Sequence, residues 1–135
     1  MENFPKGINV NEDNSLSFGN YVTKHKIKIN DFKDGEATYN LRTHNLVTRL
    51  EKNGEMLLEI VPGAHVANFT LSEAGGTFNI SGNGSGQITL NLKPETIYKL
   101  SIDNDEPFKV ATNMAGKLTF GVELAPALKK IEIKA

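Results

Sequence analysis

The chain of 135 residues contains no cysteine and no tryptophan, and only three histidines and two arginines. Without cysteine it has no disulfides, thiolate metal sites or cysteine nucleophiles. Without tryptophan it lacks the flat apolar side chain that most favours stacking against a sugar ring. It also has no apolar run long enough for a membrane-spanning helix. Its formal net charge of −1 argues against strong attraction to nucleic acid or anionic membranes, so we expect neither as a partner.

Length and composition predict a single soluble domain with a core of its own. The chain is 39% hydrophobic and 23% charged, which is ordinary for a globular protein. Residues 1–7 lack the basic, apolar and small-residue order of a secretory signal. This start and the lack of cysteine predict a cytoplasmic location by default. A surface location remains open if the chain is a fragment or is exported by another route.

The strongest pattern in the chain is an alternation of apolar and polar residues with a period of two. It is clearest in residues 86–93, 96–103 and 117–124. Such alternation predicts strands with one buried face, and no stretch has the apolar 3.6-residue period of a helix. We predict strands at residues 15–23, 25–32, 36–44, 46–52, 55–61, 65–72, 76–81, 86–93, 96–103, 107–112, 117–124 and 129–134. The predicted fold is an all-β, antiparallel β-sandwich of jelly-roll or Ig-like type with little or no helix.

The ends of the strands carry explicit turn signals. Asn53-Gly54 is the preferred sequence for a two-residue type I′ turn and predicts a hairpin. The glycine-rich segment 82–86 predicts another hairpin turn, because no phosphate-loop lysine follows it. Residues 1–15 are polar and weakly patterned, so we predict a flexible N-terminal arm followed by one sandwich domain over residues 16–135.

The hairpin around Asn53-Gly54 is apolar on both predicted faces. A two-residue turn with regular pairing sets Leu50 opposite Leu57 and Val47 opposite Ile60. Two apolar faces predict either that the whole hairpin lies inside the domain or that one of its faces is covered by a second copy of the chain. The predicted homo-oligomer interface consists of the apolar residues of this hairpin: Leu46, Val47, Leu50, Met56, Leu57, Leu58, Ile60 and Val61.

Polar clusters suggest two further sites. Lys24, Lys26 and Lys28 share one side of a predicted strand, either as a solvated edge or as a contact for an anion or an acidic glycan. Asp103, Asp105 and Glu106 form the densest acidic cluster and are predicted calcium ligands, although the same residues also favour an ordinary turn.

The residues that could support catalysis show no motif. His25, His44 and His65 lack any metal-ligand spacing. A pair of catalytic carboxylates, as in a glycoside hydrolase, would be recognised only by its separation in space.

Several runs in the chain resemble a known group of proteins: Leu16-Ser17-Phe18-Gly19-Asn20-Tyr21, Thr48-Arg49-Leu50-Glu51-Lys52-Asn53-Gly54, Val61-Pro62-Gly63, Gln87-Ile88-Thr89-Leu90 and Thr112-Asn113-Met114-Ala115-Gly116-Lys117-Leu118. They are similar to short, single-domain proteins of clostridial bacteria that often bear the label endosialidase. The resemblance implies a shared fold. Sialidase-like sites usually hold the substrate carboxylate with several arginines, whereas this chain has only Arg42 and Arg49.

Three functional hypotheses follow from the sequence. The first is a non-catalytic interaction or structural protein that self-associates through the hairpin or a sheet edge, without a cofactor. The second is a glycan-binding module, with calcium as an optional aid. The third is a small glycosidase-like hydrolase whose site is assembled from residues far apart in the sequence.

Overall fold

The computed structural model describes residues 7–135 and contains thirteen strands, with no helix among these residues. The strands are β1 (Ile8–Val10), β2 (Leu16–Phe18), β3 (Ile27–Asp34), β4 (Ala37–Thr43), β5 (Thr48–Lys52), β6 (Glu55–Val61), β7 (Ala64–Ser72), β8 (Gly75–Gly82), β9 (Gly84–Asn91), β10 (Ile97–Ile102), β11 (Phe108–Ala111), β12 (Lys117–Leu124) and β13 (Lys129–Lys134).

The strands form two antiparallel sheets that pack face to face, as the alternating pattern predicts. One sheet has seven strands in the order β1-β2-β7-β8-β13-β10-β11, and the other has six in the order β12-β9-β6-β5-β4-β3. The core lies between the sheets and is built from the inward residues of both, such as Phe18, Phe78, Leu90 and Leu118. The prediction of an all-β sandwich is therefore confirmed.

The N-terminal part of the described chain belongs to the sheet. β1 pairs with β2, and the turn between them is closed by Ser15, whose hydroxyl donates to the Asp13 carboxylate at 2.5 Å. This hydrogen bond and that from the Ser15 backbone N–H lower the pKa of Asp13. The predicted arm over residues 1–15 is thus corrected for residues 8–15, and its first six residues lie outside the described part.

The glycine-rich segment has a different role from the predicted one. β8 ends at Gly82 and β9 begins at Gly84, but the two strands belong to different sheets. The segment therefore carries the chain from one sheet to the other and is not a hairpin turn. A crossover and a hairpin use the same turn residues, so composition alone does not separate them.

The hairpin of β5 and β6 contains a β-bulge that the sequence does not reveal. Asn53 and Gly54 have positive φ angles of 52° and 85°, as the predicted type I′ turn requires. The register shifts between Glu51 and Leu50, so that Leu50 pairs with Leu58 instead of Leu57. Because side chains alternate with a period of two, this one-residue shift exchanges the faces of the residues beyond it.

The shifted register places the large apolar residues of the hairpin in the core. Leu50, Leu58 and Ile60 are fully buried at 0% exposure, so the structure corrects the prediction that these three residues form an interface. Leu57 is partly buried and packs against the core. Leu46 and Val61 remain outside, with 64% and 50% of their surface exposed.

A buried network of threonines joins the two sheets at one end of the sandwich. The hydroxyl of Thr48 on β5 donates to the Ala64 carbonyl at 2.9 Å and accepts from the Ala64 N–H at 3.0 Å. It also lies 2.8 Å from the hydroxyl of Thr43, which accepts from the Asn20 N–H at 2.9 Å. Ala64 is the first residue of β7 in the opposite sheet. The Thr48 hydroxyl therefore forms hydrogen bonds with both the N–H and the C=O of a buried residue in the other sheet.

We expect Leu58→Lys to prevent folding, because it places an unpaired charge in the core and costs several kcal/mol. Leu46→Lys changes an exposed residue of the same hairpin, and its effect should stay within about 0.5 kcal/mol. Thermal melts followed by circular dichroism measure both. Similar melting temperatures for the two variants would contradict the bulged register.

Replacing Thr48 by Val keeps the shape of the side chain but leaves the Ala64 N–H buried without its partner. We expect a loss of about 1–3 kcal/mol in denaturant unfolding. The matched control is Thr89→Val on β9, where the hydroxyl faces the hydroxyl of Thr119 on the outer face, and its effect should stay within about 0.5 kcal/mol. Equal losses in the two variants would rule out the proposed link between the sheets.

Candidate functional site

The outer face of the six-stranded sheet carries a row of charged residues directly opposite one another. Lys28 on β3 pairs with Arg42 on β4, and Arg42 pairs with Arg49 on β5. Arg49 then pairs with Glu59 on β6. We call Lys28, Arg42 and Arg49 the cationic row. Both arginines of the chain are therefore neighbours, although seven positions separate them in the sequence.

The register of the sheet fixes this arrangement. Leu41, Leu50 and Leu58 are buried on the inner face, so the residues that alternate with them in β4, β5 and β6 must face outward. The row continues across the sheet with Thr89 on β9 and Thr119 on β12, whose hydroxyl oxygens are 3.2 Å apart. Only the half of the row at β3, β4 and β5 is cationic.

Arg49 is held by two carboxylates. Its Nη1 lies 3.2 Å from Glu59 Oε2, and its Nε lies 3.4 Å from Glu51 Oε2. The Nε atom is shielded from solvent, and its contact with Glu51 lacks hydrogen-bond geometry, so we treat that contact as purely electrostatic. In the described part of the chain, Lys28 and Arg42 have no carboxylate within ion-pair distance. Two of the three cations are therefore not neutralised by a carboxylate of residues 7–135.

Two recesses meet at the arginines. One has a volume of about 250 Å³ and is lined by Lys26, Lys28, Arg42, His44, Val47, Arg49 and Glu59. The other, of about 80 Å³, is lined by Asn30, Asn40, Arg42, Arg49 and Glu51. Together they form a shallow groove with cations along its centre, amide groups at one end and an apolar side chain at the other.

Local backbone features position the two ends of the groove. At the amide end, β3 has a register shift at Asp31, which has a positive φ of 57° and whose N–H donates to Asn40 Oδ1 at 2.9 Å. At the other end, His44 closes a tight turn by donating its N–H to the Val47 carbonyl at 2.9 Å. The backbone of Gly63 packs so closely on the His44 carbonyl that a Cβ there would lie 1.9 Å from the oxygen. A side chain at position 63 would therefore displace this turn.

The predicted lysine face lies partly in the groove. Lys26 and Lys28 line the larger recess, whereas Lys24 does not. The sequence analysis predicts the lysines either as a solvated edge or as an anion contact. It does not show which residues of other strands lie beside them. The partners could have been found only with a two-residue turn at residues 45–46, which sets Arg42 opposite Arg49.

The predicted calcium site receives no support from the structure. Asp103 and Asn104 have positive φ angles of 55° and 64°, which is typical of a turn. In residues 7–135, no group of three or more acidic or histidine side chains converges on a point where a metal ion could bind. Asp105 instead lines a groove of about 400 Å³ on the other sheet, whose lysines, Lys99 and Lys134, lie among the carboxylates Asp105 and Glu132. This groove is larger than the cationic one, but its charges are balanced.

The three tyrosines and two of the histidines, His44 and His65, are held within the fold. Tyr21, Tyr39 and Tyr98 are all buried, and burial together with the nearby Asp34 charge raises the pKa of Tyr39. The ring Nδ1 of His65 lies 3.0 Å from the Gly19 carbonyl oxygen, and that of His44 lies 3.3 Å from Asn45 Oδ1. These contacts orient the two rings within the fold.

The remaining residues of the predicted interface do not form one continuous surface. Leu46 and Val61 are exposed, and their sequence neighbours Asn45 and Pro62 line a recess with Val22, which is 64% exposed. Met56 and Leu57 lie at the opposite end of the hairpin, in a recess with Asn53 and Asn91. Val47 lines the cationic groove. The apolar hairpin is thus divided among the core, the groove and the two ends of the sandwich.

Comparisons with protein-family models, with curated proteins and with solved structures found no significant match to this chain. The resemblance to the clostridial group therefore stays a prediction. The described residues also include no helix long and apolar enough to cross a membrane. The inference about function therefore rests on the geometry of the groove.

Proposed function

We propose that this protein is a binding module that holds an acidic saccharide, one bearing a carboxylate or sulfate group, on the outer face of its six-stranded sheet. The observation that carries the proposal is the cationic row, in which Lys28, Arg42 and Arg49 are direct cross-strand neighbours. This proposal corresponds to the second hypothesis drawn from the sequence, without calcium.

Like charges directly opposite each other destabilise a sheet. The fold alone would be more stable with a carboxylate at position 42, between the two other cations. An anion bound over Arg42 would supply that negative charge. Arginine suits the role because its planar guanidinium binds a carboxylate or sulfate through two parallel hydrogen bonds.

The rest of the groove fits the hydroxyl groups of a saccharide. Asn30 and Asn40 bring amide groups to one side of the arginines, and Glu59 brings acceptor oxygens to the other. The side chain of Val47 adds a small apolar surface. Mixed donors and acceptors around a cationic centre are typical of a site for a polar ligand that carries anionic groups.

The flanking carboxylates make this groove less suitable for nucleic acid. A protein that follows a phosphate backbone needs an extended basic surface and, for single strands, exposed aromatic side chains. Here Glu51 and Glu59 border the cations, and the tyrosines are buried. Both carboxylates are also ion-paired with Arg49, which suits holding that side chain better than catalysing hydrolysis.

Binding is tested with matched pairs of saccharides in isothermal titration calorimetry. We expect sialyllactose to bind and lactose not to bind, and an oligogalacturonate to bind more tightly than its methyl ester. Because the contacts are exposed, affinity should fall as salt rises. Equal binding of the acidic and neutral members, or turnover of the acidic saccharide that depends on Arg42, would contradict the proposal.

The variant Arg42→Gln separates binding from stability. Without ligand, we expect its melting temperature to equal or exceed that of the unmodified protein, because the repulsion from Lys28 and Arg49 is relieved. Its affinity for the acidic saccharide should fall by roughly tenfold or more. Lys109→Gln, an exposed lysine of β11 on the other sheet, is the matched control and should bind normally. A loss of stability in Arg42→Gln, or unchanged affinity, would contradict the assignment.

A further inference from the structure

The outer face of the seven-stranded sheet carries a second row of cations. Lys99 on β10 pairs with Lys109 on β11 and with Lys134 on β13. We call these three residues the lysine row. They are exposed and face outward, because Tyr98 and Leu100 on either side of Lys99 are buried in the core. In the described part of the chain, no carboxylate lies within ion-pair distance of the lysine row.

Two carboxylates lie beside the lysine row, displaced along the strands. Glu132 is two residues from Lys134 on β13, a distance of about 6.6 Å along a strand, and it pairs with Ser101. The Ser101 hydroxyl donates to the Asp105 carbonyl at 2.7 Å, which holds the loop after β10 against this face. The charges are therefore sorted, with the lysines at one end and Glu132 and Asp105 at the other.

Both sets of charges line the groove of about 400 Å³ on this sheet. Its lining includes Lys99 and Lys134 from the lysine row, both carboxylates, and the polar side chains of Ser101 and Asn104. A face arranged for stability alone would set each lysine opposite a carboxylate, since opposite charges across strands attract and like charges repel. The sorted arrangement instead gives the groove a positive end and a negative end.

We propose that this groove binds a zwitterion that carries a phosphate and a primary ammonium on a short linker, as phosphoethanolamine does. The phosphate lies against the lysine row, because lysine binds phosphate as a point charge. The ammonium lies at the other end, where the Asp105 and Glu132 carboxylates and the Asn104 amide oxygen can accept its three N–H donors. The two charged groups of the ligand thus match the two ends of the groove.

The lining favours a primary over a quaternary ammonium. Proteins commonly bind a quaternary ammonium, such as that of phosphocholine, over the faces of aromatic rings. None of the described residues that line this groove is aromatic. Its carboxylates can form hydrogen bonds only with an ammonium that retains N–H groups. We therefore expect the groove to distinguish phosphoethanolamine from phosphocholine.

This site does not depend on the proposed saccharide site. The cationic row lies on the outer face of the other sheet, at β3, β4 and β5. A ligand with anionic groups alone is repelled by Asp105 and Glu132 at one end of the groove, whereas a zwitterion is attracted at both ends. The acidic saccharide and the zwitterion should therefore bind independently of each other.

The ligand class is tested by isothermal titration calorimetry with phosphoethanolamine, phosphocholine and inorganic phosphate. We expect phosphoethanolamine to bind about tenfold more tightly than the other two, since neither has the ammonium N–H groups that the carboxylates accept. Vesicles of phosphatidylcholine, with and without phosphatidylethanolamine, separate the two sources of the ligand. Co-sedimentation that requires phosphatidylethanolamine identifies a lipid headgroup, and binding of the soluble compound alone identifies a free ligand. Equal affinity for inorganic phosphate or phosphocholine, or no binding of phosphoethanolamine in either form, would overturn the proposal.

Substitutions at the two ends of the groove should differ in their effect on inorganic phosphate. Lys99→Gln should weaken the binding of both phosphoethanolamine and inorganic phosphate by about tenfold. Its melting temperature should not fall, because repulsion within the lysine row is relieved. The double variant Asp105→Asn, Glu132→Gln should weaken phosphoethanolamine by a similar factor and bind inorganic phosphate equally or more tightly.

Lys33→Gln on β3 is the matched control and should bind both compounds normally. A folded Lys99→Gln variant with unchanged affinity for phosphoethanolamine would refute the role of the lysine row. A folded double variant with unchanged affinity for phosphoethanolamine would refute the role of the carboxylates, and with it the zwitterion.

Discussion

The β-bulge at Leu57 decides which side of the six-stranded sheet each residue of β5 and β6 occupies. With the extra residue, Leu50 pairs with Leu58 toward the core, and Arg49 pairs with Glu59 toward solvent. A regular hairpin would set Leu50 opposite Leu57 instead and turn Leu58 outward. A one-residue slip exchanges the two faces of a strand, so the core and the charged groove depend on the same backbone irregularity.

The charges of the groove oppose the stability of the sheet that carries them. Buried threonines, paired sheets and a continuous apolar core all favour the fold, whereas three cations in adjacent strands oppose it. The charge of Arg49 is compensated by the carboxylates of Glu51 and Glu59. Arg42 is repelled by Lys28 and Arg49, and no carboxylate in the described part of the chain lies within ion-pair distance of it. Functional sites are where such locally unfavourable choices are expected, and we propose that a bound anion supplies the missing negative charge.

Most of the fold could be predicted from the sequence, because alternation and turn residues are local signals. The predicted ranges 55–61, 117–124 and 129–134 coincide with β6, β12 and β13. The bulge at Leu57 and the crossover at Gly82 could not be predicted, since each depends on where the strand lies in the fold. The two lysines of the groove could be identified as a shared face, but their meeting with Arg42 and Arg49 required the pairing of β3, β4 and β5.

The central claim is that the cationic row is the place where an acidic ligand binds. The most direct measurement is a two-dimensional amide NMR titration of the isotopically labelled protein with sialyllactose. Our account predicts that the largest shifts fall on residues around Lys28, Arg42, His44 and Arg49, with the outer face of the seven-stranded sheet unchanged. Shifts centred instead on the groove beside Lys99 and Asp105, or no shifts at saturating ligand, would contradict it.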